Sequence, residues 1–196
     1  MTDYFALLEQ PRLPWLDPDE LKQAFHRKSL RIHPDARAPS GDGGTAEAEF
    51  AQLNEAYKVL QDPKRRLQHL LALEGAAPVE RSTTVPPDIE QLFAAVAAAT
   101  QRAQATAEKN TKATSPLARS LLKPELLQVR TEIEDILAIL QKQHVAAVDR
   151  LRDLTRRWEQ RGEPTMAELH ELFLRFSYLS RWISELQEKQ VQLSSC

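Results

Sequence analysis

Apolar residues recur every three or four positions along most of this chain, which is the spacing of amphipathic α-helices. In the first 75 residues the pattern predicts two main helices, at about 18–33 and 45–60, with short helical pieces near 4–8 and 63–75. We expect the two main helices to pack as an antiparallel pair. The apolar stripe of the second one is Phe50, Leu53, Ala56, Tyr57 and Leu60.

Helix-start signals support these positions. Asp17 followed by Pro18, and Asp62 followed by Pro63, place a capping carboxylate directly before a proline. An aspartate at the N-cap accepts hydrogen bonds from free backbone N–H groups, and proline suits the first helical position.

Three longer helices are predicted after residue 87, at about 88–110, 115–160 and 165–192. Pro124 predicts a kink or a break in the second helix, and Thr165 with Glu168 predicts a capping box at the start of the third. The inward-facing residues of the first helix are Ile89, Leu92, Phe93, Val96 and Ala99. Short turns between the three helices predict an antiparallel bundle.

The predicted fold is therefore all-α, because no segment has the alternation of a strand. Its N-terminal domain, residues 1–76, is a helical hairpin with short flanking helices. Residues 77–87 contain three prolines and are interpreted as a linker. Residues 88–196 are interpreted as the three-helix domain.

Composition narrows the classes of partner. The net charge is -2, which gives no overall attraction to nucleic acid or anionic lipid. We expect no secretory signal, because the sequence opens with Met1-Thr2-Asp3 and its first apolar cluster is very short. No apolar run is long enough to cross a bilayer, and the single cysteine is Cys196. We expect a cytoplasmic protein that binds neither nucleic acid nor a membrane.

A compact group of polar residues stands where the first main helix ends. Proline stops a helix and fixes the backbone, so in His33-Pro34-Asp35 we expect the imidazole and the carboxylate to project from a rigid corner. The helix before this triplet has a basic face made by Lys22, His26, Arg27 and Arg31. Such a surface can steer an acidic partner and offer Asp35 to an arginine.

The N-terminal segment resembles J-domains over Tyr4–Gly75. The resemblance rests on Tyr4-Phe5 with Leu7-Leu8, on Leu21–Ile32 leading into His33-Pro34-Asp35, and on Leu53–Leu60 followed by Asp62-Pro63. It implies binding to a DnaK-type heat-shock chaperone and stimulation of its ATPase. The implied chaperone-binding residues are Lys22, His26, Arg27, Arg31, His33, Pro34 and Asp35. Lys28 departs from the family pattern, which favours an apolar residue there.

The end of this segment, from Arg65-Arg66 to Gly75, is similar to HscB proteins. These are iron–sulfur co-chaperones that join a J-domain to a C-terminal three-helix domain. The resemblance implies an HscA-type chaperone and an iron–sulfur cluster scaffold as partners. Asp88–Phe93 resembles the start of the scaffold-binding helix, although the sequence becomes alanine-rich after it. The implied client-binding residues are Ile89, Glu90, Leu92 and Phe93.

Other interpretations stay open. The C-terminal bundle of a general J-protein would bind an unfolded or unrelated client, and Ile89 and Leu92 fit a plain helical core equally well. A structural adaptor with an inactive J-like domain would not need His33-Pro34-Asp35. The five histidines lack metal-ligand spacing, so we expect no metal, no cofactor and no enzymatic activity.

Overall fold

The computed structural model describes residues 1–32, 43–75, 85–158 and 163–194, and these residues form helices with no strand. The helices are α1 (Tyr4–Leu7), α2 (Pro18–Ile32), α3 (Gly43–Gln61), α4 (Pro63–Leu73), α5 (Pro87–Lys112), α6 (Pro116–Arg156) and α7 (Glu163–Ser194). The predicted all-α class is confirmed. Residues 33–42 and most of the predicted linker lie outside the described residues.

The chain divides into two compact units. The first is Met1–Ser82 together with Val148–Phe173, and the second is Thr83–Ala147 together with Leu174–Cys196. The first unit therefore includes the end of α6 and the beginning of α7. The predicted domain boundaries at 76 and 88 stay a prediction, since compactness does not reveal which segment folds alone.

The expected caps begin the helices of the first unit. Asp17 Oδ1 accepts from the backbone N–H groups of Asp19 and Glu20, at 2.9 and 3.1 Å. Asp62 Oδ1 accepts from the N–H of Arg65 at 2.8 Å, with Pro63 opening α4. After α4, Gly75 takes a left-handed φ of 71°, which costs glycine little.

In the first unit α3 packs against α1, α2 and α4. The apolar residues buried in this hairpin and its flanking helices are Phe5, Leu8, Leu16, Leu21, Ala24, Leu53, Ala56, Val59, Leu60, Leu67, Leu70 and Leu71. Arg66 is also buried, and its guanidinium donates to the carbonyls of Pro14 and Leu60 at 2.8 and 2.5 Å. Burial lowers the pKa of Arg66 to about 10.

The segment between α1 and α2 contacts the end of α6 within the same unit. The backbone N–H of Trp15 donates to Thr155 Oγ1 at 2.9 Å, and the Arg152 guanidinium lies 5.0 Å from the centre of the Trp15 ring. An arginine over an indole face is an attractive cation–π contact.

The second unit is built on a shared core of α5, α6 and α7. Its buried residues are Ile89, Val96, Ala99, Ala103, Val129, Ile133, Leu137, Leu140, Leu179, Trp182, Leu186 and Leu193. Their spacing of three and four residues is the amphipathic pattern that predicted these helices.

Contacts between helices show that the bundle is antiparallel. Residue numbers on α6 fall as those on α5 rise, through Arg102–Glu132 at 2.9 Å and Lys109–Glu125 at 2.7 Å. The same holds for α6 and α7, through Glu134–Gln190 at 3.2 Å and His144–Phe176, whose ring centres lie 5.2 Å apart. The predicted three-helix bundle is confirmed.

Pro124 lies inside α6, which continues through it over 41 residues, because its missing N–H removes only one backbone bond of the helix. The break that Pro124 allowed is therefore absent, and the kink stays a prediction. Two other details of the prediction were wrong. The predicted capping box does not begin α7, which starts at Glu163, and Glu168 instead contacts Arg157 at 2.9 Å. Phe50 and Phe93 were expected inside, and they are 41% and 37% exposed.

Candidate functional site

The basic residues of α2 share its exposed side. Lys22, His26, Arg27 and Arg31 are all exposed, whereas Leu21 and Ala24 on the opposite side are buried. Four-residue spacing places Lys22 near His26, and Arg27 near Arg31, along the helix surface. The structure thus brings the four predicted residues of this helix onto one solvent-facing surface, which we name the basic face.

Leu30 lies within the basic face and was missed by the sequence analysis. It is 70% exposed, and at about 100° per residue the nine residues from Leu21 to Leu30 place it on the side away from the core. Its position out of phase with the apolar stripe is the signal that identifies it. A leucine among cations adds an apolar contact to an otherwise electrostatic surface.

Packing behind the basic face fixes the orientation of α2. The rings of Phe25 and Tyr57 stack with centres 4.5 Å apart, which joins α2 to α3. Lys28 is half-buried and its Nζ lies 2.9 Å from Glu9 Oε1, just after α1. The hydrogen bond from Lys28 lowers the pKa of Glu9. Lys28 therefore ties α2 to the segment directly after α1, at a position where the resemblance had implied an apolar residue.

His69 on α4 fastens α1 at the other side of this unit. It is 7% exposed, its Nε2 accepts from the backbone N–H of Tyr4 at 3.1 Å, and its ring stacks on Tyr4 and Phe5 at 4.6 and 5.8 Å. Burial lowers the pKa of His69, an effect that the nearby Asp3 carboxylate opposes. An imidazole that accepts at Nε2 is neutral.

The triplet His33-Pro34-Asp35 lies outside the described residues. The last described residue before it is Ile32, where α2 ends. The assignment of these three residues to chaperone binding stays a prediction.

The four predicted client-binding residues occupy the first turns of α5. Glu90 and Phe93 are exposed, Leu92 is half-buried, and Ile89 is fully buried in the core of the second unit. Glu90 and Phe93 are thus the members of this set with side chains open to a partner, and the role of all four stays a prediction.

An aromatic cluster surrounds Phe93 and was not predicted. The Phe93 ring meets Tyr178 and Trp182 of α7 edge-on, with ring centres 5.3 and 4.8 Å apart. The Arg181 guanidinium lies 5.9 Å from the centre of the Tyr178 ring. Aromatic pairs in this geometry attract each other, which explains why a phenylalanine predicted to be inside rests at the surface.

An ion pair lies beside this cluster. The guanidinium of Arg175 on α7 donates to both carboxylate oxygens of Asp88 on α5, with Nη2 at 2.9 Å from Oδ1. The Arg175 side chain is only 8% exposed. Its hydrogen bonds hold the pKa of Asp88 below the usual range of an aspartate.

The described residues show neither a metal-binding cluster nor a membrane-spanning helix. Across the described ranges no group of three or more His, Cys, Asp or Glu residues is arranged to hold a metal ion. Among the helices of those same ranges, none combines the length and the apolar character needed to cross a lipid bilayer.

Comparison with known proteins assigns the first segment. Residues 3–69 match the family model of the DnaJ domain. The chaperone protein DnaJ of Protochlamydia amoebophila is 38% identical over 81 residues, which is 39% of this chain and 20% of that protein. The chain thus spans about a fifth of the length of this relative.

The whole chain is similar in fold to two solved structures. The human co-chaperone protein HscB superposes with a TM-score of 0.61 at 18% identity, covering 97% of this chain and 83% of that one. The chaperone HscB from Vibrio cholerae superposes with a TM-score of 0.54 at 22% identity, covering 98% and 99%. The predicted resemblance is confirmed: over residues 3–69 the chain is similar to DnaJ domains, and in fold it is similar to the HscB co-chaperones.

Proposed function

We propose that this protein is a co-chaperone that stimulates the ATPase of a DnaK- or HscA-type heat-shock chaperone. The observation that carries the proposal is the DnaJ-domain match over residues 3–69, which covers α1, α2 and α3 and most of α4. The exposure of the whole basic face supports it, because these basic side chains lie outside the core and are available to an acidic partner. The protein acts as a trigger of another enzyme and not as a catalyst.

The basic face gives the proposal an electrostatic test. Arg27→Ala and Lys22→Ala should each slow the association with the chaperone and weaken ATPase stimulation, and the loss should shrink at high salt because exposed charges are screened. Lys142→Ala is the matched control, since Lys142 is an exposed lysine on α6. Equal stimulation by all three variants at low salt would remove the basic face from the mechanism.

We further propose that the C-terminal helices present an iron–sulfur cluster scaffold protein to the chaperone. The similarity to HscB in fold supports this, together with an exposed acidic and aromatic surface at Glu90 and Phe93. Isothermal titration calorimetry with a purified cluster scaffold should give heat with the wild-type chain and weaker binding with Phe93→Ala. Leu127→Ala is the control, because Leu127 is an apolar residue of α6 that is 66% exposed.

One observation favours a different client, an unfolded polypeptide. Leu117, Leu121 and Leu127 on α6 are 71%, 73% and 66% exposed, and exposed apolar surface can mark a site where another polypeptide binds. Two results together would favour this client. The bundle would suppress aggregation of an unfolded protein through these leucines, and calorimetry would give no heat with any cluster scaffold. The client would then be a general unfolded protein and not a scaffold.

A further inference from the structure

Two consecutive prolines, Pro86 and Pro87, open α5. The N-cap position is Pro86, which makes no side-chain cap hydrogen bond, and its carbonyl accepts from the backbone N–H groups of Ile89 and Glu90 at 2.9 and 3.0 Å. Asp88 lies within the turn, where a negative charge is favourable beside the helix N-terminus. The hydrogen bond from Arg175 is the main cause of the lowered pKa of its carboxyl group, and the adjacent backbone N–H groups lower that pKa further.

Asp88 is held from the other side by a buried arginine. Two N–H groups of Arg175 meet the two oxygens of one carboxylate, and this paired geometry fixes orientation as well as distance. The Arg175 side chain is 8% exposed and that of Asp88 is 45% exposed. The contact therefore reaches from the interior of the second unit to the surface at the start of α5.

The ion pair and the aromatic cluster form one continuous contact between α5 and α7. Arg175, Tyr178 and Trp182 are separated by three and four residues, so they share one side of α7. Asp88 and Phe93 are five residues apart and meet this side at Arg175 and at the two rings. Between these two anchors lie Glu90 and Leu92.

We propose that Asp88 and Arg175 are positioning residues for the client-binding surface of α5. They fasten its first turn to α7, so that Glu90 and Phe93 meet the partner in a preformed arrangement. A surface that is already ordered loses less conformational freedom on binding, and its affinity is correspondingly higher. This inference rests on the proposed scaffold-binding function.

Asp88→Asn in the full-length chain is the decisive variant, because it keeps the size of the side chain and removes its charge. Calorimetry with the purified cluster scaffold should show affinity reduced by about tenfold. Asp88→Glu keeps the carboxylate and should retain affinity within about threefold of the wild type. Glu132→Gln is the matched control, since it breaks the exposed Arg102–Glu132 pair of the same bundle and should leave affinity unchanged.

A second measurement needs no client. Hydrogen exchange of the amides at residues 89–93 should accelerate in Asp88→Asn and not in Glu132→Gln. The ring-current shifts of the Trp182 indole protons, which arise from the edge-on contact with Phe93, should move in the same variant. The far-ultraviolet circular dichroism should stay at the wild-type level, because the variant loosens one end of α5 and leaves the helices formed. The stimulation of the chaperone ATPase should also stay at the wild-type level, because we assign it to residues 3–69.

The outcomes separate this inference from the function on which it rests. If the wild-type chain binds no scaffold, the scaffold proposal is wrong. Hydrogen exchange of the amides at residues 89–93 then still shows whether the ion pair orders α5. Unchanged affinity and unchanged exchange in Asp88→Asn overturn the inference, as does an Asp88→Glu variant as weak as Asp88→Asn. If Asp88→Asn fails to fold, Arg175→Lys takes its place, since lysine keeps the charge without the two-pronged contact.

Discussion

Replacing His69 by glutamine tests how the J-domain is held together. Glutamine can still accept the hydrogen bond from the Tyr4 N–H, but it loses the stacking of the imidazole on the rings of Tyr4 and Phe5. Each aromatic pair contributes about 0.5–1.5 kcal/mol, so His69→Gln should destabilise the attachment of α1 by about 1–3 kcal/mol at pH 7.5. His26→Gln, on the exposed side of α2, should have little effect.

The pH dependence of this loss gives the sharper test. Burial lowers the pKa of His69 in the folded chain below its ordinary value of about 6.5, so the unfolded chain takes up the proton first as the pH falls. The stabilisation by neutral His69 is therefore complete above about pH 6.5 and is lost as the pH falls from there toward the folded-state pKa. The stability difference between wild type and His69→Gln should narrow between pH 7.5 and pH 5.5.

Native-state hydrogen exchange provides the assay. The amides of Leu7 and Leu8 donate to the carbonyls of Asp3 and Tyr4, so their protection reports the opening of α1 directly. Other ionisable groups titrate in both the wild type and His69→Gln, so their contributions cancel in the stability difference between the two proteins. A gap that stays constant or widens as the pH falls would refute the assignment of a neutral, hydrogen-bond-accepting His69.

Two further predictions concern packing and capping. Leu140 is fully buried in the second unit and Leu127 is 66% exposed. In urea denaturation, Leu140→Ala should therefore lower the free energy of unfolding by about 2–5 kcal/mol. Leu127→Ala should lower it by less than about 0.5 kcal/mol. Equal losses would contradict the orientation of α6. Asp62→Ala removes the cap of α4 and should cost about 1 kcal/mol by the same measurement, whereas Asp62→Asn should restore most of it.

The helices and their caps were predictable because they depend on residues close in sequence. Asp17 with Pro18 and Asp62 with Pro63 carry a start signal within a few positions, and α2 and α4 begin where these signals place them. Local signals also mislead when a distant partner competes. Thr165 with Glu168 has the pattern of a capping box, but α7 begins earlier and Glu168 pairs with Arg157, the residue directly after α6.

The hydrophobic periodicity of the sequence could not predict contacts between residues that are far apart in the chain. Asp88 and Arg175 are 87 positions apart, and no periodicity in either helix indicates that they pair. Phe93 was placed inside because aromatic residues on an apolar stripe usually lie in a core. At the surface its ring packs in edge-to-face contact with Tyr178 and Trp182, which is a property of the assembled α5 and α7.

The same limit applies to the candidate site. The exposed cations of α2 were predictable from helical phase, since Lys22 and Arg27 are out of step with Leu21 and Ala24. The contacts that hold α2 in its orientation were not predictable, because they depend on packing against other helices. The stacking of Phe25 on Tyr57 needs α3 to lie beside α2.

The central claim is that this chain triggers a chaperone ATPase through its J-domain, and single-turnover hydrolysis measures it directly. Wild-type chain should accelerate hydrolysis of ATP bound to the cognate DnaK-type chaperone, and His33→Gln should abolish the acceleration while leaving the unfolding transition unchanged. Acceleration that survives His33→Gln, or wild-type chain that leaves the hydrolysis rate at its basal value, would contradict the claim.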